Sequence, residues 1–214
     1  IDANTSAGIK KSIIVISKEF KNFDVKNQNL RTVIQKQPIG TGDAVRKATS
    51  LLDDFKGIVL ICFADTPFIT PKTLKKIQNS FKNGTELVLT GFQKNEKNKY
   101  GKIIFDNKKK PNEILEYKDA KRKKINSNFC NGGIMGIHTS SMKYLNKIKK
   151  NPFTGEYYLT DIVKILNNEN KKIFFIEIEK KEIIGVNTQL DLSIAEGISQ
   201  NLIRNKAMIN GVKL

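Results

Sequence analysis

Asp65 closes the apolar run "GIVLICFAD" (57–65) and is followed by "TPFIT", a Pro-containing turn. In an open α/β sheet, ligands gather beyond the carboxyl ends of the strands. A carboxylate there either caps a turn or holds a hard cation such as Mg²⁺, which takes one or two protein carboxylates and fills its other positions with water and phosphate. A second stretch, "QKQPIGTGDAV" (35–45), leaves a strand-like run and opens a helix. Gly40 and Gly42 permit close backbone approach and leave N–H groups for an anion or the polar edge of a base. The same residues also read as a glycine-rich turn capped by Thr41, with Asp43 favourable in the first helical turn. The spacing is not that of a P-loop. A third stretch, "GEYYLTD" (155–161), crowds Glu156, Tyr157, Tyr158, Thr160 and Asp161 at a loop-to-helix junction that one capping residue could start. Glu116, Asn131 and Asn187 each end an apolar run. Singly each reads as a turn or capping residue; together they would ring one edge of a sheet, as a polar, multi-hydroxyl ligand requires.

The elements that must position these residues alternate along the chain. Strand-like runs fall at 12–17, 31–35, 57–64, 86–92, 101–105, 130–137 and 172–179. Helical periodicity occupies 42–55, 71–81, 140–148, 158–168 and 187–205, the last with Asn187 or Thr188 placed to cap its start. Alternation of this kind predicts an α/β fold with a mostly parallel sheet flanked by helices. The continuous apolarity of "GIVLICFA" predicts a central strand buried on both faces. The polar, lysine-rich region 93–128 suits a small antiparallel excursion.

With 214 residues and 39% hydrophobic content, the chain can build the core of one medium domain. No run is long and apolar enough to cross a bilayer and no leader pattern opens the sequence, so the reading is a soluble, cytoplasmic protein. Cys62 and Cys130 each sit in an apolar run without C-x-x-C spacing, and His138 is the only histidine. That points to buried reduced thiols rather than a disulfide or a metal site. The net charge of +17 raises the question of nucleic acid, yet arginine is confined to Arg31, Arg46, Arg122 and Arg204 and the lysines are scattered over many segments. The charge reads as solvated lysine faces, with anionic ligands second and no specific nucleic acid partner.

In order, "QKQPIGTGDAV", "GIVLICFADTPFIT", "KYGKIIFD", "EILEYKDA", "CNGGIMGI", "GEYYLTDIV" and "GVNTQLDLSIAE" resemble the uridyltransferase domain of the bacterial bifunctional N-acetylglucosamine-1-phosphate uridyltransferase/glucosamine-1-phosphate acetyltransferase family. The resemblance implies a Rossmann-like nucleotidyltransferase (nucleotide-diphospho-sugar transferase) fold. It implies attack by the phosphate of N-acetylglucosamine 1-phosphate on the α-phosphorus of UTP, giving UDP-N-acetylglucosamine and pyrophosphate for peptidoglycan and lipopolysaccharide precursors. Matching positions are Gln35, Gly40 and Thr41 for the uracil, and Gly101, Glu116, Asn131 and Asn187 for the sugar. Asp65 and Asn187 match the Mg²⁺ ligands. Glu156, Tyr158 and Thr160 match the sugar-side wall, while Tyr157 also reads as a buried tyrosine stiffening a helix start.

The family's opening strand, its L-A-A-G-x-G-T-R-M loop and a downstream Lys have no counterpart among these words, nor has its β-helix acetyltransferase domain. The resemblance therefore implies that residues 1–214 are a single partial nucleotidyltransferase domain, inactive or nearly so by itself, with a homotrimer expected only of the full-length protein. Another sugar-phosphate nucleotidyltransferase, or a non-catalytic basic nucleic-acid-binding module, is the alternative. Ala64 stands where many relatives carry Gly before the metal-binding Asp.

Overall fold

Most of the expected apolar runs become strands. The computed structural model describes residues 2–20, 29–52, 54–93 and 98–213. Helix α1 (Asp2–Ser6) leads into β1 (Ser12–Ser17), which pairs in parallel with β2 (Leu30–Gln35), Ser17 lying opposite Gln35. Then come α2 (Thr41–Thr49), β3 (Ile58–Ile61) and α3 (Pro71–Asn79). Helix α3 has its proline in the first turn, and the hydroxyl of Thr70 accepts from the amide of Thr73 at 3.2 Å. The remaining elements are β4 (Thr85–Gln93), β5 (Lys102–Phe105), β6 (Pro111–Leu115), α4 (Tyr117–Arg122), β7 (Phe129–His138), α5 (Asp161–Asn168), β8 (Lys172–Glu177) and α6 (Gln189–Ile209).

Among the described residues, strand β7 organises a six-stranded sheet, whose order is β6-β5-β7-β4-β8 with β3 also on β7. It runs antiparallel to β3, β4 and β5, while β8 is parallel to β4. Thus β3, β4, β5 and β8 share one direction, and only β7 and the short hairpin strand β6 reverse it. The expected mostly parallel arrangement with a small antiparallel excursion takes this form.

Alternate residues of β4 enter two cores, as the two-residue strand period requires. Leu87 and Leu89 join Met135, Ile137, Leu145, Ile162 and Leu166 on one face. Val88 and Phe92 join Ile134, Cys130, Leu74 and Ile77 on the other. The helices α5 and α3 therefore cover opposite faces, and the loops that carry the candidate residues leave from the strand ends between them.

Four sequence expectations need correction. The strand expected over 57–64 covers only Ile58–Ile61 and is half-buried throughout, because among the described residues it pairs with β7 alone; β4 and β7 are the strands buried over most of their length. Strand β6 was hidden by Pro111, Asn112 and Glu113, which mask the two apolar residues that follow. The stretch expected as a helix over 140–148 is a 3-10 turn, Thr139–Lys147. Cys62 is exposed, because β3 has ended before it; Cys130 is buried as expected.

Helix α6 begins with a capping box, in which Thr188 and Asp191 bond reciprocally to each other's backbone amides. It buries only Ala195. Among the described residues no helix is long and apolar enough to cross a membrane.

Candidate functional site

The expected base-side residues form one hydrogen-bonded turn. Gln35, the last residue of β2, donates from Nε2 to the carbonyl of Gly40 at 3.1 Å and to Oδ2 of Asp43 at 2.9 Å. Asp43 is buried and holds the start of α2 against the strand end. Thr41 is not the helix cap: Gly40 holds that position without a side-chain bond, and the Thr41 hydroxyl instead accepts from the amide of Leu159 at 3.1 Å.

Residues 157–160 act as a strap across this turn. The amide of Tyr157 donates to the carbonyl of Ile39 at 2.8 Å, and the amide of Gly42 donates to the carbonyl of Tyr157 at 2.8 Å. The Gly42 N–H that the sequence reading left for a ligand is thus spent on the strap. A Cβ on Gly40 would overlap the Tyr157 carbonyl oxygen and stand 2.7 Å from its amide nitrogen. Its φ of 113° lies in the region that side chains avoid. Arg46 stacks over the Tyr157 ring at 4.3 Å, which accounts for Tyr157 as a packing residue.

The far end of the strap reaches the expected sugar-side residues. Thr160, only 6% exposed, donates from its hydroxyl to Oε1 of Glu116 at 2.8 Å. The other Glu116 oxygen lies 3.5 Å from where a Cβ on Gly101 would stand. The amide of Asn131 donates to the Gly101 carbonyl at 2.8 Å, and its Oδ1 accepts from Gly133 at 3.1 Å. Tyr158 donates to the Thr154 hydroxyl at 2.8 Å, while Glu156 is exposed and its carbonyl accepts from Asn151. Glu116, Gly101, Asn131 and Thr160 are therefore brought together, Tyr158 flanks them, and Glu156 stands at the rim.

This corner is acidic in a strongly basic chain. Burial pushes the Glu116 carboxyl above its ordinary 4.5, reinforced by Asp161, Asp119 and Glu156 and opposed by the Thr160 hydrogen bond. Burial, with Asp119 and Glu113, likewise raises Asp161. A carboxyl raised in the folded state holds its proton more tightly there, so its contribution to stability is lost as pH climbs through the raised value. Glu116→Gln keeps an acceptor for Thr160 and is expected to be more stable than the parent at pH 7 by on the order of 1 kcal/mol, roughly 2–4 °C in Tm for this chain size. The gap should close as pH falls below the ordinary 4.5. Thermal unfolding across a pH series checks this; a gap that widens toward acid would refute it.

Sequence reasoning missed the support behind the wall. Asp119, on α4, accepts from Asn151 Nδ2 at 3.1 Å and pairs with Arg122 at 3.0 Å, and Arg122 lies 3.4 Å over the exposed ring of Phe153. These contacts tie the 151–158 loop to α4. Apart from the local Asp119–Arg122 pair, they span sequence separations that no local pattern reveals.

The expected cation ligands converge on Gly185. The amide of Val186 donates to the Asp65 carbonyl at 2.9 Å, which draws the two loops together. A Cβ on Gly185 would lie 3.3 Å from Asn187 Nδ2 and 3.4 Å from Asp65 Oδ2, so the glycine leaves a small cradle between the two side chains. Both residues are exposed. The buried carboxylate of Glu182 steadies the approach by accepting from the Thr70 amide and hydroxyl and from the Thr73 hydroxyl, at 3.0, 2.9 and 2.8 Å. Among the described residues no group of three or more His, Cys, Asp or Glu is placed to hold a metal ion. One carboxylate beside one amide suits a cation that keeps most of its sites for water and phosphate. Tyr100 joins this group to Gly101: burial raises its phenol, and Asp191 and Asp65 act in the same direction.

A cavity of about 600 Å³, walled by Lys72, Lys76, Phe92, Glu177 and Lys180, touches the support residues Thr73 and Glu182 but includes none of the expected site residues. The candidate site is a shelf along strand ends.

Residues 2–180 match the family model described as nucleotidyl transferase. The chain belongs to the nucleotidyl transferase family. Among curated proteins, this nucleotidyl transferase is 35% identical over 219 residues to the bifunctional protein GlmU of Clostridium beijerinckii, which covers 100% of the chain and 48% of the relative. It is 31% identical over 186 residues to GlmU of Zymomonas mobilis, covering 86% of the chain and 41% of the relative. It thus spans less than half the length of these relatives. The fold is shared with the 4-diphosphocytidyl-2C-methyl-D-erythritol synthase of Anaerococcus prevotii, at a TM-score of 0.66 and 16% identity over 93% of this chain and 86% of that one. It is shared also with a UDP-glucose pyrophosphorylase in complex with UDP-glucose, at a TM-score of 0.65 and 16% identity over 82% and 76%.

Proposed function

We propose that this nucleotidyl transferase binds UDP-N-acetylglucosamine, the product of uridyl transfer from UTP to N-acetylglucosamine 1-phosphate, on the shelf between the Gln35–Thr41 turn and Glu116. The observation that carries the reading is the strap. One short segment is bonded to Thr41 at Leu159 and to Glu116 at Thr160, so the expected base-side and sugar-side residues are tied to each other. The similarity to GlmU proteins supports the choice of base and sugar.

In this reading, Gln35 and the 40–41 backbone face the uracil. Glu116 accepts from sugar hydroxyls, and Gly101 and Asn131 give a close backbone edge to the N-acetyl group. Tyr158 and Thr160 wall the hexosamine, and Glu156 closes the rim. Asp65 and Asn187 would hold Mg²⁺ across the Gly185 cradle. When bound there, the ion would neutralise charge on the phosphate oxygens. Transfer at phosphorus is mainly positioning and charge neutralisation, so the chain's contribution is orientation of the two halves rather than a covalent intermediate. The cationic phosphate-gripping words of the family are not among the matched stretches, and the test accordingly reads binding.

Titration calorimetry of the chain in Mg²⁺ should give UDP-N-acetylglucosamine at least about tenfold tighter binding than UDP-glucose or CDP- and dTDP-sugars, the discrimination a few polar contacts supply. Equal affinity for all of them would overturn the choice of base and sugar. Tighter binding of a DNA duplex, falling steeply with salt, would favour the nucleic-acid module instead.

A further inference from the structure

Lys102 and Cys130 form a buried pair that the proposed chemistry does not use. Lys102 is 6% exposed and Cys130 0%. Lys102 Nζ lies 3.1 Å from Cys130 Sγ and 2.7 Å from Asn98 Oδ1, and the same oxygen is 3.4 Å from the sulfur. Among the described residues Lys102 makes no ion pair, so an ammonium is withdrawn from water against an amide oxygen and a thiol alone. Such burial is costly without a counter-charge. The backbone enforces the approach, because Lys102 opposite Cys130 is the register pair that joins β5 to β7. A cavity of about 230 Å³, with Asn98, Lys102, Tyr117 and Ile125 in its walls, opens onto the lysine end of the pair, and Cys130 lies behind Lys102 and Asn98.

We propose that Cys130 is a peroxide-modification site whose oxidised form is captured by Lys102 as a covalent sulfur–nitrogen link. Hydrogen peroxide oxidises the thiol by two electrons to a sulfenic acid, and the peroxide's other oxygen leaves as water. Lys102 first passes one ammonium proton to the sulfenic oxygen, and the lone pair so freed bonds to sulfur as the S–O bond breaks. That oxygen departs as a second water carrying one ammonium proton, and a further proton passes to solvent. A thiol reductant returns both side chains. The neighbours of the pair are Gly101 and Asn131, so closing Nζ onto Sγ draws β5 toward β7 beside the sugar-side positions. The link stands independently of the function proposed above; its effect on sugar-nucleotide binding rests on that reading.

The test treats the Cys62→Ser chain, which lacks the exposed thiol, with hydrogen peroxide and maps peptides by mass spectrometry without reductant. The expected product joins the Lys102 and Cys130 peptides at a mass two hydrogens below their sum, and dithiothreitol reverses it. Lys102→Arg keeps the charge but should give no link, leaving a sulfenic acid that dimedone traps. Cys130 recovered unchanged, overoxidised with Lys102 free, or joined with its oxygen retained would overturn the proposal, as would a link that persists in Lys102→Arg. In the linked chain, affinity for UDP-N-acetylglucosamine should change roughly tenfold. An unchanged affinity with the link formed would overturn its effect on binding while leaving the reaction itself standing.

Discussion

Gly40→Ala should destabilise the chain by about 3 kcal/mol, lowering Tm by roughly 10 °C, through two additive causes. The backbone at Gly40 sits at a φ of 113°, where an L side chain is strained. The added methyl also meets the peptide of Tyr157 at both its oxygen and its nitrogen, 2.7 Å from the latter. Backbone cannot rotate away as a side-chain tip would, so the strap must lift. Lifting it strains the Tyr157 to Ile39, Gly42 to Tyr157 and Leu159 to Thr41 bonds together. Chemical denaturation of the variant, with sugar-nucleotide titration alongside, checks this. A loss below about 1 kcal/mol with unaltered binding would show that the strap is not seated on Gly40.

Asp65→Asn should abolish the Mg²⁺ dependence of sugar-nucleotide affinity, weakening binding in saturating Mg²⁺ by on the order of 100-fold while leaving stability within about 1 kcal/mol of the parent. The separation of the two effects follows from the geometry. Asp65 is exposed, and its bond to the neighbouring loop is made by its carbonyl, which the substitution keeps. Gly185→Ala offers an independent route to the same loss, since its methyl would stand 3.4 Å from Asp65 Oδ2 and 3.3 Å from Asn187 Nδ2, filling the cradle with both ligands intact. Calorimetric titrations with and without Mg²⁺ decide. An Mg²⁺ effect that survives in both variants would remove Asp65 and Asn187 from the metal site.

The elements were legible wherever local chemistry decides them. Pro71 announces α3, the spacing of Leu190, Ile194, Ile198 and Leu202 with Thr188 announces α6, and the apolar runs at 86–92 and 130–137 announce β4 and β7 as strands, though not their burial. Legibility failed where a distant partner decides. Gly40 and Gly42 signalled close approach correctly, but the approaching group is the Tyr157 backbone, more than a hundred residues away. The Glu116 to Thr160 bond and the Asp119 to Asn151 bond cross from one element to another, with no trace in either local pattern. Lys102 read as one more solvated lysine, and only the pairing of β5 with β7 buries it. Gly185 was open to inspection two residues before Asn187, yet its use depends on Asp65 arriving from another loop.

If the shelf binds a sugar nucleotide as proposed, the strap would also couple its two halves. Because Leu159 and Thr160 are adjacent and each is bonded to a different half, a ligand that moves Thr41 shifts the position of Glu116's partner, and the reverse holds equally. By linkage, whatever free energy the base contributes to sugar affinity the sugar must return to base affinity in equal measure. The shelf would then weigh a sugar nucleotide as one object, disfavouring a mismatched half even when the other half fits.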